Sequence, residues 1–236
     1  MTEAPAQVDE VDPEASDGWA VLHLFFAVAD DVDSGAVASA IKACESDGHQ
    51  AFAAEILGHK ADFAVVGLGP SFHRLRQLQN ELVHAGLSLE WSYVSLTEVS
   101  EYASGAPEAM KRARLRPVLP PEGLEVFCFY PMSKRRGEQE NWYRLDYEDR
   151  LRLMIGHGTT GRKFRGRVLQ LVTGSTGLDD WEWGVTLFCR SFEDLKECVY
   201  TMRFDEASAR FAEFGPFLTG TIGDATDILA GITRRD

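Results

Sequence analysis

The sequence predicts an α+β chain built from two ferredoxin-like repeats, on three observations. Strand-like apolar runs alternate with amphipathic helical segments along most of the chain. Two stretches of similar element order follow one another. An interval rich in Pro, Gly and charge, residues 105–123, separates them. The 236 residues are 44% hydrophobic and 26% charged, ordinary proportions for a globular protein. A chain of this length buries a substantial core without disulfides or metal staples.

In the first repeat, residues 19–28 read as a strand and Ser34–Ser46 as a helix with Ala, Val and Ile on one face. A turn at 58–60 leads to an apolar strand at 61–68. Residues 72–85 form an amphipathic helix with Leu75, Leu78 and Leu82 stacked along one side. Residues 87–96 alternate apolar and polar side chains, as a half-buried strand does. In the second repeat, 124–130 is a strand and 147–157 a helix. Strands at 168–173 and 181–188 are joined through a Gly, Ser, Thr and Asp segment at 174–180, which suits a hairpin. Residues 192–214 read as one long helical stretch and 217–222 as a last strand. Each repeat therefore has the order βα(β)βαβ. Two such sheets bury their open faces against each other or close into a barrel. The expected organisation is a disordered acidic tail at 1–17, an N-terminal half at 18–104, a linker at 105–123 and a C-terminal half at 124–236.

Charge and cysteine content narrow the function classes. The formal net charge is −13, which argues against a nucleic-acid partner, because phosphate binding needs basic clusters. Nine acidic residues and no Lys or Arg occur between positions 1 and 41. The basic residues gather instead at 111–116, 134–136 and 162–167. Such clusters in an acidic chain fit a small anionic ligand, and each alone also fits a solvated loop. Cys44, Cys128, Cys189 and Cys198 form no CxxC pair, and buried free thiols in a reducing compartment are expected. The opening lacks a basic and then apolar signal pattern, and no run approaches the ~18 apolar residues of a membrane span. A cytoplasmic location is the expectation.

Of six histidines, five sit in strand, turn or helix-end contexts that give no functional signal. His157 differs. Leu153 and Met154 precede it by one helical turn, and Gly156 and Gly158 flank it. A flat macrocycle needs an axial nitrogen donor with little bulk beside it, and neutral imidazole is a normal axial ligand of heme iron. A C-capping histidine beside a helix-ending glycine fits the same pattern. No HExxH and no paired Cys/His spacing is present, so no metal other than a heme iron is expected.

Several ordered stretches carry a resemblance. These are Tyr-Pro-Met-Ser-Lys-Arg-Arg (130–136), Asn-Trp-Tyr (141–143), His-Gly-Thr-Thr-Gly-Arg-Lys-Phe (157–164), Thr-Gly-Ser-Thr-Gly-Leu-Asp-Asp-Trp-Glu-Trp (173–183), Met-Arg-Phe-Asp-Glu-Ala-Ser (202–208) and Phe-Gly-Pro-Phe (214–217). Together they resemble the chlorite dismutase family, most closely its coproheme decarboxylase branch, over about residues 116–223. Gly-His-Lys-Ala-Asp (58–62) extends the likeness weakly into the first half. The resemblance implies a dimeric α/β-barrel-type subunit and assembly as a homopentamer. It implies His157 as the iron ligand, Tyr130 as the redox tyrosine and Lys134 as the lysine assisting the second of two decarboxylations. Met132 would pack near the porphyrin edge, and Arg116, Arg203 and Ser208 would contact propionates. The implied reaction converts coproheme to heme b with hydrogen peroxide through a tyrosyl radical. In chlorite dismutases proper a distal arginine occupies the position that falls here on Gln170. Glutamine lacks the fixed positive charge but still donates a hydrogen bond, which favours the decarboxylase. A chlorite dismutase, a heme peroxidase and a non-catalytic porphyrin carrier are the alternatives on the same scaffold. Trp142, Trp181 and Trp183 fit either a macrocycle lining or ordinary core.

Overall fold

The computed structural model describes residues 17–103 and 105–233. The expected disordered tail lies, but for Asp17, outside the described residues. The first half runs β1 (Ala20–Val28), α1 (Ser34–Ser46), β2 (Gln50–Ile56), β3 (Phe63–Gly69), α2 (Phe72–His84) and β4 (Leu87–Thr97). After α3 (Glu108–Leu115) come β5 (Val126–Lys134), α4 (Tyr147–Gly161), β6 (Val168–Gly174), β7 (Trp183–Cys189), α5 (Phe192–Arg203), α6 (Glu206–Phe211), β8 (Ala212–Phe214), β9 (Leu218–Gly223) and α7 (Ala225–Thr233). Side chains cap the helices where the sequence offers them. Asp33 accepts from the Ala36 N–H, Ser71 from Arg74 and Ser191 from Asp194.

Hydrogen-bonded pairing runs β7-β6-β4-β1-β3-β2-β9-β5, and β5 pairs back onto β7. Eight antiparallel strands thus close into a barrel, with β8 added beside the end of β5. Closure removes exposed sheet edges. Two short ladders join the halves: β2–β9, from Ala53↔Gly223 to Ile56↔Gly220, and β4–β6, with only Leu96↔Gly174 and Thr97↔Thr173.

Strand alternation sorts the apolar residues into separate cores. On β1, Val21 and Phe25 point inward with Phe52, Tyr93, Phe127, Phe129 and Phe188, so the barrel is filled with side chains. Ala20, Leu22, Leu24 and Phe26 point outward onto α1, α2 and α7. Both faces of β1 are covered, which is why it reads as an apolar run interrupted only by His23. The outward side of β5 and β7 forms a third core around Cys128, Tyr130, Val185 and Leu187, packed against Leu195 of α5.

The structure departs from the sequence reading in several places. The parenthetical strand of the first half is β2. The linker region contains α3. Strand β5 does not stop at Tyr130 but continues through Pro131 to Lys134, because β7 and β8 both pair with its far end. The stretch 192–214 is not one helix. It breaks at Phe204 and Asp205, where Asp205 caps α6 by accepting from the Ser208 N–H. Helix α4 runs four residues past His157, so the histidine lies within the helix and the C-capping alternative is not realised. Helix α7 was not anticipated. Its Ala225 and Leu229 complete the core beside α1.

Candidate functional site

Register places several of the expected residues on one sheet face. Tyr130 of β5 lies opposite Val185 of β7, which lies opposite Val172 of β6. The next row is Cys128, Leu187 and Gln170. Side chains two residues apart on a strand share a face, so Met132 and Lys134 extend the row of Tyr130, and Gln170 stands two strands away on the same side. Gln170 is exposed and its neighbour Val172 is 40% exposed. This face lies outside the barrel, under α5.

The histidine comes from helix α4. Helix α4 rests chiefly on α5 and α6. His157 Nδ1 lies 2.8 Å from Asp205 Oδ2. The histidine side chain is 27% exposed and that of Asp205 only 5%. Asp205 also accepts from the backbone N–H and hydroxyl of Ser208, at 3.2 and 3.3 Å. A carboxylate bonded to one ring nitrogen fixes the ring and makes the other nitrogen the more basic donor. Nε2 has no hydrogen-bond partner among the described residues. The break between α5 and α6 places Asp205 at the start of α6, where its carboxylate meets both Ser208 and His157.

Tyr130 is buried within an aromatic cluster. Its ring stacks on Phe217 with centroids 4.4 Å apart and meets Phe214 edge-on at 5.7 Å. Arg203 caps the cluster, its guanidinium 4.3 Å from the Phe214 centroid. Burial pushes the phenol pKa well above its ordinary value, and the nearby Arg203 partly offsets this. Arg203 forms no ion pair among the described residues, so a cation next to the phenol is left for another anion.

Lys134 lies with its ammonium 4.2 Å from the centre of the Trp142 ring. Burial lowers its pKa to about 8, against the opposing pull of Asp205 and Glu182. Glu182 is itself buried. It accepts from the Lys134 N–H at 2.7 Å and from the Arg136 guanidinium, so it anchors the end of β5. Beside it, burial and then Glu182 raise the Tyr143 pKa.

The remaining candidates divide. Ser208 is buried with its hydroxyl turned to Asp205 rather than outward. Arg116 is exposed at the end of α3. Its neighbours Leu115 and Pro117 are tied to Thr97 and Gln50 at the barrel rim, and no hydrogen bond or ion pair among the described residues links it to the β5 face. Trp181 faces the barrel interior, Trp142 packs with Leu153 and Phe211, and Trp183 bonds Glu98 at 3.1 Å. Sequence reasoning passed over Asp205 and Glu182, although both lie inside the matching stretches. An Asp three residues before Ser208 is a helix-cap signal that could have located the first.

Over residues 33–223 the chain matches the family model described as chlorite dismutase. It belongs to the chlorite dismutase family. A heme-binding protein from Thermus thermophilus is 34% identical and superposes with a TM-score of 0.79, over 92% of this chain and 95% of that one. Chlorite dismutase from Candidatus Nitrospira defluvii in complex with imidazole is 19% identical with a TM-score of 0.71, over 93% and 96% of the two chains. The second likeness reflects the shared fold. This family member also has no helix among the described residues long and apolar enough to cross a membrane.

Proposed function

We propose that this member of the family binds an iron porphyrin through His157 and decarboxylates coproheme to heme b with hydrogen peroxide. The observation that carries the reading is a buried phenol and a Lys134 of lowered pKa on one sheet face, with Arg203, which has no ion pair among the described residues, against the phenol's aromatic neighbours, and with Asp205 linking Lys134 electrostatically to His157. The heme-binding relative at 34% identity supports the ligand class. The site would lie in the C-terminal half, 124–236, with Met132 at the porphyrin edge.

The residues present fit such a group. His157 offers Nε2 while Asp205 holds Nδ1. A Cβ added at Gly156 would meet nothing within 4 Å, and one at Gly158 only the Arg162 guanidinium at 4.0 Å. The chain's own packing therefore does not require glycine there, although each glycine within a helix costs about 0.5–1 kcal/mol. Clearance for a flat ligand explains them. Arg203 and Lys134 suit propionates. In this reading Ser208 acts through Asp205, and Arg116 contacts a propionate from the rim.

With peroxide, the bound iron supplies one-electron oxidising power. Tyr130 keeps its proton at neutral pH, so its oxidation releases electron and proton together. The tyrosyl oxygen then takes a hydrogen atom from the propionate chain. Loss of a second electron and of carbon dioxide leaves a vinyl group. Each propionate with one peroxide and one proton gives vinyl, carbon dioxide and two waters, and the cycle runs twice. Lys134, a cation below about pH 8, neutralises a propionate in the second cycle. Gln170 would offer a hydrogen-bond donor to the bound oxidant. A homopentamer in the cytoplasm completes the proposal, and light scattering checks the assembly.

Mass spectrometry of the porphyrin during stepwise peroxide addition tests the reading. The expected sequence is a three-propionate intermediate followed by heme b. Rapid chlorite breakdown with oxygen release would point instead to a chlorite dismutase. Tight binding without any peroxide-dependent product would point to a carrier.

A further inference from the structure

Inside the barrel, away from the outer face, His23 of β1 is fully buried. Its Nε2 lies 2.9 Å from Thr186 Oγ1 of β7, which ties the two repeats together. The ring rests on Phe129 with centroids 4.1 Å apart. The other ring nitrogen, Nδ1, has no hydrogen-bond partner in the protein, and neither has Oγ of Ser95, which is also fully buried.

Register places these two residues on adjacent strands of one face. His23 lies opposite Tyr93, and Ser95 lies opposite Val21 on the adjoining β4. Val21 and Tyr93 both face the interior, so His23 and Ser95 do too. They are diagonal neighbours on adjacent strands, whose Cβ atoms stand roughly 7–8 Å apart. One oxygen accepting or donating to both sides spans about 5.5 Å, and the side chains cover the remainder.

An unsatisfied buried polar group costs about 1–3 kcal/mol, and one bridging group between two such atoms would relieve both costs. The other polar side chains of this interior are already bonded. Thr97 Oγ1 accepts from Trp19 and donates to the Leu115 carbonyl, Thr173 donates to the Gly184 carbonyl, and the Tyr93 hydroxyl meets Ser175. We infer that the barrel interior contains a binding site for one ordered water molecule, held between His23 Nδ1 and Ser95 Oγ. The ligand class follows from the donors. The site supplies neutral groups that donate or accept, and an ion there would lack a counter-charge. Burial presses the His23 pKa down to about 3, so the imidazole stays neutral beside it. The water completes a bridge from β4 through β1 to β7.

A high-resolution crystal structure of the full chain, with NMR of the His23 ring, tests this without reference to porphyrin chemistry. One water within about 3 Å of both atoms, and a cross-peak between a His23 ring proton and slowly exchanging water, are expected. In Ser95→Ala the water loses a partner, so its density and the cross-peak should weaken severalfold. A direct bond between His23 and Ser95, or a dry gap, would overturn the inference. So would full occupancy with unchanged His23 signals in Ser95→Ala. Should that variant fail to fold, the wild-type density and cross-peak alone decide.

Discussion

In the proposed function the pair formed by His157 and Asp205 sets how firmly the iron would be held. Replacing Asp205 by Asn keeps the shape but removes the charge from the ring's second nitrogen. We expect porphyrin affinity to fall about 10–100-fold, with a shifted Soret band, as read by titration. Tyr130→Phe should keep the porphyrin bound and yield no vinyl product; full turnover by that variant, measured by mass, would discard the tyrosyl route. In the proposed reaction Lys134 introduces a pH dependence. A lysine with its pKa lowered to about 8 is charged below that value and loses its charge as pH rises through it. The second decarboxylation should therefore be steady on the acid side and decline near pH 8, and Lys134→Arg should remove the alkaline limb. At this scale the sequence points to residues whose type carries its own chemistry, such as His157 and Tyr130, and the structure sets one against Asp205 and the other in an aromatic cluster. The sequence was opaque for Asp205 and Glu182, because a carboxylate acquires its role only from what folding sets beside it.

Among the elements, the glycines of α4 are the informative feature. Gly156→Ala should stabilise the porphyrin-free protein by about 0.5–1 kcal/mol, since the helix gains propensity and the added methyl meets nothing. The same methyl should weaken porphyrin binding. Denaturant midpoints and spectral titration check the two halves of the prediction, and unchanged affinity would remove the clearance argument. Most elements could be read because periodicity reports which face is buried. The exceptions have physical causes. Residues 192–214 keep a helical apolar pattern across the Phe204–Asp205 break, and only the Asp205 cap marks it. The end of β5 looks unlike a strand because Pro131 lacks an N–H, yet β7 and β8 still pair with it. Helix α7 follows Asp224, whose carboxylate caps it by accepting from the Thr226 and Asp227 N–H groups.

For the molecule as a whole, the barrel core contains one titratable histidine whose state is coupled to folding. His23 has a pKa near 3 when folded and about 6.5 when unfolded. The unfolded chain therefore binds the proton first. The stability this residue contributes is fully present above about pH 6.5 and is lost as pH falls toward 3, by at most an amount on the order of 5 kcal/mol. Urea midpoints of the wild type and His23→Gln across that interval should converge as the pH drops. Parallel curves would show that the imidazole does not titrate with unfolding. None of this was legible in the sequence, where His23 is one more strand residue, because only closure of the barrel seals the face on which it lies.

The uneven ladders around the barrel bear on how it comes apart. The halves are stitched by four residue pairs on one side and two on the other, while β1 and β4 share nine. Tension or denaturant should part the cylinder first where β4 meets β6, like a cuff opening at its shortest row of stitches. The amide protons of Leu96 and Gly174, which face each other across that seam, should then trade with deuterium well before those at the centre of β1.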